Sequence, residues 1–320
     1  MTLLVRDDLF LQHRTGAHPE RLERLLAIHR QLDNAGLIAR CTPLAYQPMP
    51  RTEVTGIHAL PVVEEAEAVA NAGGGHLDAD TVVSPRSFEV ALAAAGACAT
   101  AVDAVLDGRD TTALCLVRPP GHHATPTRSM GFCLFNNVAL AAKRALDRGL
   151  ARVLVVDWDV HHGNGTQDVY YADPRVTFFS IHRYGWGFYP GTGAADETGT
   201  GAGLGCTFNA PIRHGVTRPN YHATFRHVLE KAADRAKPEL VLLSAGFDAH
   251  AADPIGSLGL ETEDFAELTR QVRQVAATHA GGRLVSCLEG GYDLDALAES
   301  VQVHLEELLI EQGGERTSAG

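Results

Sequence analysis

The sequence predicts an α/β fold in which helices cover both faces of a mostly parallel central sheet. Short runs rich in Val, Leu and Ile alternate with longer segments whose apolar residues recur at three- and four-residue spacing. This alternation is typical of parallel strands joined by helices, because each connection has to cross one face of the sheet. A second observation agrees, since the unusual polar residues follow the ends of the predicted strands, where open parallel sheets bind ligands.

Ten segments carry this prediction. Five short apolar runs are predicted strands: 113–117, 153–157, 176–181, 240–245 and 284–288. Five longer periodic segments are predicted helices: 87–106, 137–148, 218–236, 261–278 and 293–309. The glycine-rich stretch 191–205 is predicted to be a loop, because a strand pattern resumes at Cys206. We expect one domain over residues 1–312 and a disordered tail over 313–320.

Composition and charge exclude several classes of protein. The net charge is -12, and no Lys/Arg block could neutralise a run of phosphates, so we expect no nucleic-acid partner. The N-terminus lacks the apolar region of a secretory signal. The most apolar stretch, 90–105, is shorter than the roughly 20 residues of a membrane span, so we expect no membrane partner. The cysteines form no C-x-x-C pair, which favours a cytoplasmic location.

Three residues at two predicted strand ends indicate a metal site. Asp159 and His161 follow strand 153–157, and Asp248 follows strand 240–245. Residues two apart in extended chain point the same way, so the first two can share a ligand. Two carboxylates and one imidazole leave a coordination position open, as catalytic zinc requires. An isolated Asp-x-His motif is more often a solvated turn, so the prediction depends on this setting.

The tandem histidines His122 and His123 follow the predicted strand 113–117 on a Pro-Pro-Gly turn. Imidazole, with an ordinary pKa of about 6.5, can take a proton from water and return it to a leaving amine near neutral pH. Alone, the pair would more often be surface histidines. Asp157 and Asn164 lie beside the proposed ligands and could orient the histidines by accepting their ring N–H groups.

Three aromatic residues complete the candidate site. Tyr292 follows two glycines after strand 284–288. It is either a packed core tyrosine or a donor to the oxyanion that forms when water attacks a carbonyl. Phe132 and Tyr189 lie in predicted loops and could form the walls of a narrow apolar channel.

These segments, in this order, resemble the class II histone deacetylases and the bacterial histone-deacetylase-like amidohydrolases, which share their fold with arginases. The matching segments are R-P-P-G-H-H-A (118–124), G-F-C (131–133), D-W-D-V-H-H-G-N-G-T (157–166), A-G-F-D (245–248) and E-G-G-Y (289–292). The match runs from Gly16 to the final helix. It implies a zinc-dependent deacetylase that releases acetate from an acylated amine.

The resemblance also implies a role for each matching residue. Zinc would be held by Asp159, His161 and Asp248, with His123 as the principal general base and acid. The supporting residues would be His122 as an electrostatic group, Asp157 as its partner, Asn164 near His123, and Tyr292 as the carbonyl polariser. The substrate contacts would be Phe132 and Tyr189 along an acyl-lysine channel, Gly131 at its rim, and Asp80 holding substrate backbone. A structural potassium would lie near Asp157, Asp159, His161, Ser180 and Ile181.

The substrate and the reaction class leave alternatives. Polyamine-selective relatives have Glu where this chain has Ile255, so we expect acetyl-lysine rather than an acetylpolyamine or another small acyl amide. Tyr189 stands where many relatives have Phe, and we expect no chromatin recruitment. Arginase-like chemistry needs two manganese ions, but Gly163 and His250 stand where its further aspartates would be. A non-catalytic acyl-lysine binding module is the other alternative, and the oligomeric state stays open.

Overall fold

The computed structural model describes residues 1–310, which form an eight-stranded sheet between two helical layers. The strands of this sheet are β1 Thr2–Val5, β2 Cys41–Pro43, β5 Thr112–Cys115, β6 Val153–Asp157, β7 Val176–Arg183, β8 Thr207–Ile212, β9 Leu240–Ala245 and β10 Leu284–Leu288. Their spatial order is β2-β1-β5-β10-β9-β6-β7-β8, and all neighbours pair in parallel. A separate antiparallel hairpin contains β3 Gly75–Asp78 and β4 Thr81–Val83. The predicted fold class is confirmed.

The helices cover both faces of the sheet. Within the described residues they are α1 Glu23–Asn34, α2 Arg51–Val54, α3 Leu60–Asn71, α4 Ser87–Leu106, α5 Asn137–Asp147, α6 Asn164–Tyr170, α7 Arg218–Ala236, α8 Thr262–His279 and α9 Leu294–Leu308. One layer contains α1, α7, α8 and α9, and the other contains α3 to α6. Adjacent residues of β10 show the two sides, since Ser286 bonds His304 of α9 while Cys287 lies against Cys98 of α4. The central strands are therefore buried on both faces.

Capping side chains decide where several helices begin. Asn136 accepts a hydrogen bond from the Ala139 N–H at the start of α5. Glu261 and Asp264 form a capping box, so the helix predicted over 261–278 begins one residue later, at Thr262. The strand predicted over 113–117 is also shifted: it runs from Thr112 to Cys115, and its last two predicted residues already belong to the loop that leaves the sheet.

The apolar helix α4 is longer than the stretch 90–105, which the sequence predicts to be too short for a membrane span. The helix has 20 residues and is long and apolar enough to cross a membrane, so length does not exclude a span. The packing of α4 indicates a core helix, because 72% of its most apolar 18-residue window is buried inside the protein. Burial of this kind is typical of a core helix in a soluble domain, which has no lipid-facing side.

Most of the N-terminal third was missed by the sequence patterns. Strands β1, β2 and the β3–β4 hairpin have three or four residues each, too few to establish a period, and α1 and α3 are exposed along one side. The tail predicted over residues 313–320 lies outside the described residues.

A buried ion-pair network joins this N-terminal part to the loop after β5. The Arg118 Nη2 donates to Glu20 Oε2 at 2.7 Å, and Arg24 Nη1 donates to Glu20 Oε1 at 3.1 Å. All three side chains are fully buried. Burial alone would raise the pKa of Glu20, but the Arg118 guanidinium and the His13 ring together outweigh it and hold that pKa well below its usual range. The network fixes the start of the loop that carries the tandem histidines.

Candidate active site and metal centre

The polar residues singled out in the sequence meet at the carboxyl end of the sheet. Strands β5, β10, β9 and β6 are consecutive neighbours, so the loops that follow them converge. In that spatial order the loops carry His122 and His123, Tyr292, Asp248, and the segment from Asp157 to Asn164.

Asp159, His161 and Asp248 form a compact, buried group, and each offers one ligand atom within 4.8 Å of the others. The His161 Nδ1 lies 3.1 Å from an Oδ atom of each aspartate. Ligand atoms of a tetrahedral ion held at about 2.1 Å would lie about 3.4 Å apart, so this spacing fits zinc. The donor set of two carboxylates and one imidazole also fits, with one position left open.

Backbone groups hold both aspartates in place. The Asp159 Oδ2 accepts the Gly290 N–H at 2.9 Å, and the Asp248 Oδ1 accepts the Val160 N–H at 2.9 Å. Two glycines make this approach possible. A Cβ on Gly246 would lie 2.1 Å from Asp159 Oδ2, and one on Gly290 would lie 2.4 Å from Asp248 Oδ2. Any side chain at these positions would push the carboxylates apart.

The tandem histidines have different partners and opposite electrostatics. His122 Nδ1 lies 3.0 Å from Asp157 Oδ2, and His123 Nδ1 lies 2.7 Å from Asn164 Oδ1. Burial would lower the pKa of His122, but the carboxylates of Asp159 and Asp157 outweigh it and raise that pKa well above its usual value. Burial, with the cations at His122 and His161, lowers the pKa of His123 well below its usual value. These opposite shifts favour a cationic His122 and a neutral His123.

The neutral ring presents a basic nitrogen. Because an amide oxygen only accepts, the Nδ1 of His123 must carry the hydrogen that Asn164 Oδ1 receives. The Nε2 of a neutral His123 is then unprotonated and can accept a proton. The ring also lies 5.8 Å from that of His161, measured between centroids, which places it beside the metal-ligand group.

The site holds four buried carboxylates whose cationic side-chain partners, within the described residues, are histidines rather than Lys or Arg. Four carboxylates, those of Asp157, Asp159, Asp248 and Glu289, are fully or almost fully buried. Within residues 1–310, no Lys or Arg side chain bonds any of the four. Burial, with repulsion from Asp159, raises the pKa of Asp248 to about 7, and burial raises that of Glu289 to about 8. Such a group favours a bound cation.

Aromatic rings line the site on several sides. Tyr189 packs edge-on against His123 with ring centroids 5.0 Å apart, and Phe132 packs edge-on against Tyr292 at 5.8 Å. Phe188 stacks flat on His161, at 5.1 Å and an interplanar angle of 3°. The Tyr189 hydroxyl is buried and has no hydrogen-bond partner among the described residues.

The expected rim residues lie on loops tied to this centre. Asp80 is in the turn of the β3–β4 hairpin, and its Oδ1 accepts the Gly131 N–H at 3.2 Å. Ile255 is half-buried, and its N–H donates to Asp253 Oδ1 at 2.9 Å. The other oxygen of Asp253 accepts the Tyr292 N–H at 2.7 Å, so one carboxylate links the Ile255 loop to Tyr292.

The two residues expected only near potassium lie on β7. Ser180 is the register partner of Asp157 across β6 and β7, and Ile181 follows it. The potassium site itself stays a prediction.

Several supporting residues were missed by sequence reasoning. Arg24 donates to the Gly291 carbonyl at 2.6 Å and to the Glu289 carbonyl, and its guanidinium lies 5.1 Å from the Tyr292 ring centroid. The Glu289 carboxylate accepts the Gly121 N–H at 2.7 Å and thus holds the histidine loop. Arg24 could not be found from its spacing, because Glu20 four residues earlier indicates an ordinary surface ion pair on a helix. In the sequence, Glu289 stood out only as part of the E-G-G-Y motif, and no separate role was predicted for it.

The sequence comparisons agree with this geometry. A family model described as histone deacetylase domain matches residues 18–308. The chain is 40% identical to the histone deacetylase-like amidohydrolase of Pseudomonas aeruginosa, over 87% of this chain and 73% of that protein. It is 38% identical to a probable deacetylase of Archaeoglobus fulgidus, over 92% of this chain and 82% of that protein. It is 44% identical to the human polyamine deacetylase HDAC10, over 91% of this chain but only 44% of that protein.

A solved structure of a similar domain also matches this chain. The crystal structure of the HDA15 HD domain superposes with a TM-score of 0.91 at 36% sequence identity. The superposition covers 96% of this chain and 88% of that chain. With a family model matched over most of its length and relatives this similar in sequence and structure, the chain belongs to the histone deacetylase family.

Proposed function

We propose that the chain is a zinc-dependent amidohydrolase that removes the acetyl group from acetyl-lysine. Membership of the family supports an amide deacetylase. The observation that carries the proposal is the buried group of Asp159, His161 and Asp248, next to one cationic and one neutral histidine. Arginase-like chemistry is not supported, since no third carboxylate joins this group within the described residues.

Asp159, His161 and Asp248 would hold the zinc ion. When bound, the ion supplies Lewis acidity to the amide carbonyl and to the attacking water. Its positive charge would also compensate the excess of buried carboxylates. The proposal also includes a structural potassium ion near Asp157 and Ser180, which is supported by the pairing of these two residues in the sheet. It further includes a cytoplasmic location.

The chain's own residues would move the protons and stabilise the developing charge. His123 Nε2 accepts the proton of the attacking water and returns it to the leaving amine. His122 stays cationic, because its Nδ1–H is held by Asp157, and it stabilises negative charge without giving up a proton. Tyr292 donates its hydroxyl hydrogen to the oxyanion, and burial favours that role by raising the pKa of the phenol well above its usual value.

The proposed substrate class depends on the rim. Ile255 offers only apolar contact there, and Arg183 Nη1 donates to the neighbouring Gly256 carbonyl at 2.8 Å. A guanidinium beside this loop would repel the distal ammonium of an acetylpolyamine, whereas an acetyl-lysine side chain has no second charge. The Asp80 carboxylate, which accepts the Gly131 N–H, would also accept hydrogen bonds from substrate backbone. The alternative, an acetylpolyamine substrate, has the support of the similarity to HDAC10.

Two assays test the proposal. First, the purified chain should hydrolyse an acetyl-lysine peptide, a chelator should stop the reaction, and zinc should restore it. Peptide binding without turnover would indicate the non-catalytic module instead. Two transition-metal ions per chain would contradict the single-zinc assignment.

The second assay compares substrates. The parent should have the higher kcat/KM on acetyl-lysine peptide, and Ile255→Glu should shift the ratio towards N-acetylpolyamine by about tenfold or more, the effect of one charged partner. Leu204→Glu, at an exposed position, is the control and should leave the ratio unchanged. A parent that already prefers acetylpolyamine by this margin would overturn the substrate assignment only.

A further inference from the structure

Three cysteines meet in the core, away from the proposed zinc ligands. Cys98 lies on α4, Cys115 on β5 and Cys287 on β10, and their Sγ atoms all lie within 4.8 Å of one another. Cys115 and Cys287 are register partners on adjacent parallel strands, so their side chains point to the same face. The helix α4 lies over that face and adds the third thiol. All three are fully buried and free.

We propose that Cys98, Cys115 and Cys287 form a binding site for a thiophilic ion that takes three sulfur ligands, and that trivalent arsenic is the ion that fits. Arsenic(III) keeps a lone pair and is pyramidal, so bonds of about 2.3 Å to sulfur, the length of a zinc–thiolate bond, at angles of about 100° place its sulfur atoms about 3.5 Å apart. The three Sγ atoms here all lie within 4.8 Å of one another, which is compatible with this geometry. The site is independent of the proposed deacetylase function.

Charge favours a trivalent ion such as arsenic(III) among the ions that bind thiolates. The surroundings are apolar, since the three cysteines belong to one continuous hydrophobic cluster together with Ala93, Ala94, Ala97 and Ala101. Three thiolates with Cu(I) or Zn(II) would leave a net negative charge in this cluster, which is costly. Zinc would also need a fourth ligand, and within the described residues no further Cys, His, Asp or Glu joins the three cysteines. A complex of As(III) with three thiolates is uncharged.

The binding step needs no oxidant or reductant. Arsenous acid, As(OH)₃, reacts with three thiols to give the tris-thiolate and three molecules of water. Three As–O and three S–H bonds break, three As–S and three O–H bonds form, and no oxidation state changes. Because arsenous acid is uncharged, it can enter when α4 separates transiently from the sheet, and uptake should be slow for that reason.

The test uses the full chain, reduced with a phosphine that contains no thiol, incubated with arsenite and then desalted. Native mass spectrometry should show one arsenic per chain with the loss of three protons. Arsenic X-ray absorption should show three sulfur neighbours. Cys98→Ala and, separately, Cys115→Ala should lose the adduct, whereas Cys41→Ala, which removes a buried cysteine outside the cluster, should retain it. Asp248→Asn should also retain it, because that residue lies in the other site.

Three results would overturn the proposal: no retained arsenic in the parent, fewer than three sulfur neighbours, or an unchanged adduct in folded Cys98→Ala. The sulfur count is measured on the parent, so it decides the question even if both cluster variants fail to fold. Uptake of Cu(I) without uptake of arsenite would overturn the charge argument and with it the choice of ion.

Discussion

Two buried charged clusters lie side by side in this protein and differ in how their charge is neutralised. In the first, Glu20 is held between Arg118 and Arg24, and its pKa lies well below the usual range. In the second, the pKa of Asp248 is raised to about 7, because burial and the neighbouring Asp159 are not matched by Lys or Arg side chains. In the first cluster, arginine side chains of the protein compensate the buried carboxylate. The buried carboxylates of the second cluster favour a bound cation.

Arg24 connects the two clusters. It bonds the Glu20 carboxylate on one side and the carbonyls of Glu289 and Gly291 on the other. The structural network thus reaches the glycine loop that positions Tyr292. A buried carboxylate by itself therefore indicates neither stability nor function, because its partners decide which of the two it supports.

The largest expected effect is that of Asp248→Asn. The variant should lose the bound metal ion, and kcat/KM should fall about 10,000-fold, because metal assistance contributes several kcal/mol to the transition state. The metal-free variant should unfold at no lower urea concentration than the metal-free parent, since the substitution removes an excess buried charge. Elemental analysis, kinetics and urea titration measure the three quantities. A large loss of stability without loss of metal would reverse the comparison.

Glu20→Gln should have the opposite pattern. Leaving two buried guanidinium groups without their carboxylate should lower the free energy of unfolding by about 3 to 5 kcal/mol, while the folded fraction keeps its metal ion. Urea titration at neutral pH measures the stability, and elemental analysis measures the metal. Metal loss in folded Glu20→Gln would show that the two clusters do not act separately.

The same variant has a defined pH dependence. The pKa of Glu20 is lower in the folded chain than the unfolded value of about 4.3, so ionised Glu20 stabilises the fold above that pH. Its contribution is lost as the pH falls through the folded pKa. The stability difference between parent and Glu20→Gln should therefore be largest at neutral pH and shrink below about pH 4. A difference that stays constant down to pH 2 would refute this linkage.

Tyr292→Phe should keep the metal ion and KM but lower kcat by about 100- to 1,000-fold, because it removes one oxyanion donor and leaves the ring in place. The packing of Phe132 against the ring does not involve the hydroxyl, so stability should change little. Steady-state kinetics on an acetyl-lysine peptide checks the prediction. A parent-like kcat would exclude Tyr292 from this role.

Arg24→Lys should have the smallest effect, lowering kcat by about tenfold, as is typical when a group that orients a site is replaced. A lysine keeps the charge beside Glu20 but lacks the planar fork through which Arg24 bonds Glu20 and both carbonyls of the glycine loop from three separate nitrogen atoms. Arg21→Lys, on the exposed side of the same segment, is the matched control. If Arg24 acts through Tyr292, the substitution should have no further effect on kcat in a Tyr292→Phe background. Additive losses would mean that Arg24 acts on the site by another route.

The candidate site was more predictable than the N-terminal fold. Asp159, His161 and Asp248 follow predicted strands, and parallel strands bring their carboxyl ends together whatever the details of packing. The short strands β1 and β2 and the hairpin that holds Asp80 have no such signal, because three or four residues give no period. The length of the apolar stretch was also a poor guide to α4. That helix is long enough to cross a membrane, and its burial inside the protein is what indicates a core helix.

The type of sheet and the candidate ligands and bases could be predicted from the sequence, since these follow from periodicity along the chain and from the chemistry of each side chain. The electrostatics of the site depend on the tertiary structure. Whether His122 or His123 is the cation depends on which carboxylate lies near each ring, and whether Glu20 stabilises the fold depends on Arg118, which is 98 residues away. Coulomb interactions depend on distance in space and on burial, and neither is a property of a local stretch of chain.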